Sequence, residues 1–337
     1  MRSVPKLYSA ELDGIAATLV EVEADLNVGL HAFNVVGLAD KAVSEAKERV
    51  NSALKNSGIK PPTRENRRIT VNLAPADVKK AGSRFDLPIA VAYLLASEQL
   101  APFDASHMLF VGELSLDGTL RSVPGCLNVA LLARRRGMTT LFVPGGNAAE
   151  AAVVTGIEVI PVRSMNELIA HLEGTSRIAA HPLTSFEPTF PPSLVRLSDV
   201  KGLAAAKRAL TIAAAGGHNL LLSGPPGTGK TMLSQALAAL LPPPSREEAL
   251  EVTQIWSAAG LTADRPFLNF RPFRAPHHSA SAVAILGGGS VPRPGEVSLA
   301  HRGVLFLDEL PEFHRDILEG LRQPLEDGTI TIARARG

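Results

Sequence analysis

Two apolar rhythms alternate along the first half of the chain. After Lys6 the sequence alternates in strand fashion, and residues 15–23 and 28–36, rich in Val, Leu and Ala, predict early strands. From Asp40 the apolar positions Val43, Ala46, Val50 and Leu54 recur at helical spacing, and Gly58 supplies a stop. Residues 68–73 predict a strand and 87–96 a buried helix. Strand-like residues 109–114 and 119–121 flank Asp117-Gly118, a hairpin turn pair. A helix over 127–136, a strand at 141–143, a short helix at 148–153, a strand at 157–161 and a helix over 165–172 complete the half.

Between about 173 and 198 the rhythm stops. Pro182, Pro188, Pro191 and Pro192 lie among Ser and Thr with no sustained period, the composition of a linker. The expected organisation is a first domain over 1–174, a Pro-rich linker over 175–197 and a second domain over 198–337. The second domain predicts a helix through Ala215. The apolar run 218–223 then predicts a buried strand leading straight into a glycine-rich loop, with a helix over 231–237.

That loop is the first candidate chemistry. Gly224-Pro225-Pro226-Gly227-Thr228-Gly229-Lys230-Thr231 has the spacing of a phosphate-binding loop, and its strand–loop–helix context is what the motif requires. Glycines let successive backbone N–H groups turn toward phosphate oxygens at a helix N-terminus. Lys230 supplies a charge for the terminal phosphates, and the Thr231 hydroxyl is a Mg²⁺ ligand. The expected ligands are ATP and Mg²⁺. Downstream, the apolar residues 304–307 predict a strand ending in Asp308-Glu309. An acid at a strand end beside such a loop holds Mg²⁺, and a following Glu can polarise the attacking water. Lys230 and Glu309 are therefore the candidate catalytic residues, and Thr231 and Asp308 the candidate metal ligands.

Composition narrows the classes. Hydrophobic residues make up 45% and charged residues 20% of the 337, as in a folded soluble protein. Lys and Arg (34) nearly balance Asp and Glu (33), so nucleic-acid binding cannot be argued from net charge. Cys126 is the sole cysteine, which excludes an internal disulfide. The absence of a long apolar run argues against a signal peptide or membrane span, with the cytoplasm as the expected compartment and no membrane partner.

Longer strings carry a family resemblance. Residues 273–278 (Phe-Arg-Ala-Pro-His-His), residues 292–303 and their continuation through Asp308-Glu309 to Phe313 resemble the YifB/ComM family of magnesium-chelatase-like AAA+ ATPases. So do Asn72-Leu73-Ala74-Pro75-Ala76-Asp77, residues 82–90 and residues 112–118. The resemblance spans essentially the whole chain. It implies an α/β protein in which a Lon-protease-domain-like α+β domain precedes a P-loop AAA+ domain with a doubly wound parallel sheet and chelatase-type insertions. It further implies a homo-hexamer and, in members of the ComM type, a ring helicase that acts on single-stranded or branched DNA and promotes branch migration in natural transformation. The alternatives are a metal-chelatase motor subunit and a fragment that binds nucleotide without hydrolysing it. Residues 328–337 are expected as the outgoing strand and tip of a hairpin. The sensor, arginine finger and lid would lie beyond, which marks an incomplete, C-terminally truncated member.

A Lon-type domain raises the question of a Ser-Lys protease dyad. The nucleophile position holds Arg84, with Ser83 one residue away, and residues 124–129 offer no Lys. The expectation is a non-proteolytic domain. His277-His278 are adjacent, so their side chains diverge and make a poor metal pair; a ring-interface or nucleotide-sensing role and loop packing both remain open. Arg134-Arg135-Arg136 suits a solvated helix end better than a DNA patch. Gly287-Gly288-Gly289 and Pro292-Arg293-Pro294 form a cationic insertion that either faces a channel and phosphates or is an ordinary loop.

Overall fold

A computed structural model describes residues 4–64, 66–190, 195–289 and 292–330. The chain divides into two compact units, one of residues 1–185 with 260–266, the other of 186–259 with 267–337.

The first unit is built on a seven-stranded sheet. Its strands are β1 (Lys6–Asp13), β2 (Ala16–Val28), β3 (Ala32–Val36), β4 (Arg67–Ala74), β5 (Met108–Phe110), β8 (Thr140–Pro144) and β9 (Glu158–Val162), in the order β3-β4-β2-β1-β5-β8-β9. The β1/β2 and β2/β4 pairs are antiparallel and the other four pairs parallel. Period-two burial sets the register: Ile69, Val71 and Leu73 of β4 are all fully buried. The hairpin β6 (Glu113–Leu114) and β7 (Leu120–Arg121) closes at the expected turn, where the Asp117 carboxylate accepts from Thr119 N and Oγ1 and Gly118 takes φ 86°.

The helices of this unit are α1 (Lys41–Ser44), α2 (Ala46–Asn56), α3 (Asp86–Ala96), α4 (Cys126–Arg135), α5 (Ala148–Ala151) and α6 (Met165–Leu172). Two of these starts are legible as caps: Asp40 accepts from Val43 N before α1 and Ser164 from Glu167 N before α6. Helix α3 is buried from Asp86 to Leu94, so its apolar surface runs all the way round. At its first residue Asp86 meets Arg49 of α2 in a forked ion pair of 2.6 and 2.8 Å, and also accepts from Leu114 N at 3.1 Å.

The second unit contains α7 (Ala204–Gly216), α8 (Lys230–Leu240), α9 (Arg246–Ala258), α10 (Ala282–Leu286), α11 (Glu296–Leu299), α12 (Arg315–Gly320) and α13 (Arg322–Asp327). Helix α9 opens on a capping box between Ser245 and Glu248. Its strands are short: β10 (Phe273–Arg274) pairs in parallel with β13 (Val304–Leu305), and β11 (Gly287–Gly288) with β12 (Arg293–Pro294) antiparallel.

Here expectation and structure part. Residues 218–223 form no strand, and Leu221 is 79% exposed. An apolar run becomes a strand only when a neighbour takes up its backbone donors and acceptors, and no described residue pairs with this one. For the same reason a doubly wound parallel sheet is not formed among the described residues of this unit. The strand over 304–307 shortens to two residues, although Phe306 N continues the ladder to Arg274 O at 2.8 Å. Residues 328–330 are not a strand, and 331–337 lie outside the described residues, as do Pro191 and Pro192 of the linker.

Candidate functional site

Strand β13 owes its position to a glycine. A Cβ on Gly303 would stand 2.0 Å from the Pro272 carbonyl oxygen, the same oxygen that accepts from Val304 N at 2.8 Å. Only a glycine lets the two chains close to ladder distance. Gly303→Ala is expected to push Pro272 away, unpair β10 from β13 and cost about 1–3 kcal/mol. Thermal melting of the variant checks this; an unchanged midpoint would show that the strands relax freely.

The glycine-rich loop lies between residue 223 and α8. Gly227 and Gly229 take φ of 79° and 86°, the left-handed region that glycine enters without strain. Gly229 is also the residue from which α8 departs, so Lys230 and Thr231 occupy its first turn. Lys230 Nζ donates to Gly224 O (2.9 Å) and Pro225 O (3.0 Å), and Thr228 Oγ1 donates to Pro225 O as well (2.9 Å). Gly224, Pro225, Pro226, Gly227 and Thr228 are exposed, and Gly229 is half-buried. The loop thus curls around its lysine with its surface open to solvent.

The acidic pair comes to the same place. Thr231 Oγ1 donates to Asp308 Oδ2 at 3.3 Å, across 77 positions of sequence. Asp308 Oδ1 accepts from Glu309 N at 3.0 Å. A hydroxyl and a carboxylate at a helix N-terminus are hard oxygen donors of the kind Mg²⁺ takes, one or two from protein and the rest from phosphates and water. The residues present therefore fit Mg²⁺ accompanied by a polyphosphate.

Glu309 stands apart from Asp308 in conformation and surroundings. Its backbone is left-handed (φ 54°, ψ 50°), a region that side chains other than glycine and asparagine rarely enter. Its carboxylate, two-thirds exposed, lies 3.4 Å from His278 Nδ1. The His278 ring in turn lies 4.1 Å from the His277 ring at a 35° tilt and meets the Phe313 ring edge-on at 6.4 Å, while His277 Nδ1 contacts Ser279 Oγ at 2.8 Å.

One part of the surroundings was not legible from spacing. Arg274, at the end of β10, forms a forked pair with Glu296 at 2.6 and 2.7 Å and lies over the Trp256 ring at 5.5 Å. Hydrogen bonding to Glu296 raises the guanidinium further above its ordinary range. The only signal was that Arg274 and Glu296 both fall in the long strings around 273–278 and 292–303. The cationic insertion keeps Arg293 exposed, in β12. Among the described residues no helix is long and apolar enough to cross a membrane.

Comparison with known proteins adds names to this geometry. The family model for magnesium chelatase, subunit ChlI, matches residues 196–337, and a second, for subunit ChlI of Mg-chelatase, matches residues 22–147. The chain is 47% identical over 339 residues to the competence protein ComM of Haemophilus influenzae, covering 99% of this chain and 65% of that protein. It is 47% identical over 323 residues to YifB of Salmonella typhimurium, covering 96% and 63%. For YifB of Escherichia coli the identity is 47% over 326 residues, again covering 96% and 63%. The chain thus spans a little under two-thirds of the length of these relatives.

Proposed function

This chain belongs to the YifB/ComM family of magnesium-chelatase-like AAA+ proteins, and from that membership and the site geometry we propose that it binds Mg-ATP and couples hydrolysis to work on DNA. The observation that carries the reading is the meeting of Thr231 and Asp308 at the start of α8, beside the glycine-rich loop. In this reading residues 224–229 present backbone donors to phosphate oxygens, and Lys230 exchanges its two carbonyl partners for the terminal phosphates. Thr231 and Asp308 would hold Mg²⁺, which when bound neutralises charge on the phosphoryl oxygens. Glu309 orients and polarises the attacking water, and His278 positions its carboxylate. The family supplies the expectation of a hexameric ring and of branched or single-stranded DNA as the track. Residues 1–174 serve as a non-proteolytic domain of Lon type.

The test separates binding from turnover. Asp308→Asn is expected to weaken nucleotide binding only when Mg²⁺ is present. Glu309→Gln is expected to bind Mg-ATP like the parent and to lose about 10²–10⁴-fold in any turnover the assembled protein shows. Titration with a fluorescent ATP analogue, with and without Mg²⁺, reads both; a Glu309→Gln protein that fails to bind would remove Glu309 from the chemistry. The match to the ChlI models supports a second reading, a motor for a metal-inserting enzyme. Stimulation of turnover by branched DNA favours the first reading, and indifference to DNA the second.

A further inference from the structure

Arg84 lies between Gly82 and α3 and turns its side chain inward. Only 8% of the residue is exposed, and its Nη1 has no hydrogen-bond partner among the described residues. A guanidinium stays protonated and carries five donors in a rigid fork, so burying one without a hydrogen-bonded counter-ion is strongly unfavourable. Burial itself pulls the Arg84 guanidinium below its ordinary range. Lys80, the other buried cation of this loop, shows the usual solution: its Nζ donates to Pro75 O.

The neighbours of Arg84 do not provide that solution. Glu11 of β1 attracts it through space, yet forms no ion pair with it among the described residues. The Glu11 oxygens are turned to backbone donors instead, Oε1 to Leu12 N at 3.0 Å and Oε2 to Ala81 N at 2.9 Å. Helix α4 starts close by. Its N-cap Gly125 is left-handed (φ 82°), and a Cβ there would stand 2.0 Å from the Leu12 Cδ1 methyl, which places the start of α4 against the end of β1. Burial, and then Glu150, push the thiol of Cys126 at the first residue of α4 up, and the charge of Arg84 partly opposes them. Asn128, in the same turn, donates from Nδ2 to Ile15 O at 2.6 Å, and its Oδ1 has no partner among the described residues.

We propose that Arg84 binds a small oxyanion, a phosphate or carboxylate group, at the carboxyl end of β1 beside the first turn of α4. The forked guanidinium matches either anion through two parallel hydrogen bonds, and the start of a helix favours negative charge. Water can accept from Nη1 but brings no charge; Glu11 brings charge but faces the backbone. An oxyanion supplies both.

The experiment uses the full chain carrying Lys230→Ala, so that the glycine-rich loop does not answer for added phosphate. Thermal melting is followed in phosphate, acetate or chloride, about 10 mM each at fixed ionic strength, a concentration intended to exceed Kd about 100-fold. Phosphate or acetate is expected to raise the midpoint by about 5–10 °C over chloride, and the more effective of the two identifies the source. Arg84→Met is expected to abolish that rise and to melt higher than its parent in chloride, having lost a buried charge. Should Arg84→Met fail to fold, Arg84→Lys carries the test: it keeps the charge, loses the fork and should retain less than half of the rise. No anion effect in the parent, or an undiminished effect in either variant, overturns the site.

Discussion

Replacing Lys230 by alanine is expected to lower Mg-ATP affinity by roughly 100-fold, the loss that follows when charge-assisted hydrogen bonds to an ionised partner are removed. Residues 224–231 contain no other cation that can take its place. The folded state should hardly notice, because among the described residues Lys230 Nζ bonds only to the carbonyls of Gly224 and Pro225 on an exposed loop. The signature is therefore a split, with binding lost and melting temperature kept. Titration with a fluorescent ATP analogue beside thermal melting reads both quantities. Equal affinity in parent and variant would remove the loop from the nucleotide site.

The second large effect lies far from that loop in sequence. Asp86 is fully buried, and its carboxylate is answered by Arg49, only 20% exposed, and by Leu114 N. Asp86→Ala leaves a largely buried guanidinium without its anion, for an expected loss of about 3–5 kcal/mol. For a unit of this size that is roughly a 10 °C fall in the melting midpoint. The double variant Arg49→Met/Asp86→Leu is expected to recover most of the loss, because an apolar pair of similar volume replaces both charges. A single variant that melts like the parent would mean that water already screens the pair.

Both effects bear on what the sequence disclosed. Helix α6 (Met165–Leu172) could be read to the residue, because Ser164 caps it and its apolar positions face one way. Strand β2 runs to Val28, past the predicted limit of 23, because Asn27 and Val28 still pair with Arg68 and Arg67 of β4; pairing, not composition, ends a strand. The same physics explains residues 218–223, where three leucines in a row promised burial and none is buried. Helix α9 was not predicted, since its acidic first turn and mixed faces mute the period, although the Ser245–Glu248 box marks its start. In the candidate site, the loop and Asp308-Glu309 were legible because their chemistry is written in consecutive residues. His278 against Glu309, and Arg49 against Asp86, are contacts between distant segments; no local pattern contains them.

The 77 positions between Thr231 and Asp308 also have a meaning in time. During synthesis at roughly 5–20 residues per second, the glycine-rich loop precedes its acidic partner by about 4–15 s. Helix α8 can form within microseconds of emerging, so for those seconds its first turn presents Lys230 and Thr231 without Asp308. The pairing of β10 with β13, which delivers Asp308, must also wait for the segment between them to close. The corner where Thr231 meets Asp308 thus cannot form until those seconds have passed, and a pause in translation between the two codons would lengthen the exposure of the loop.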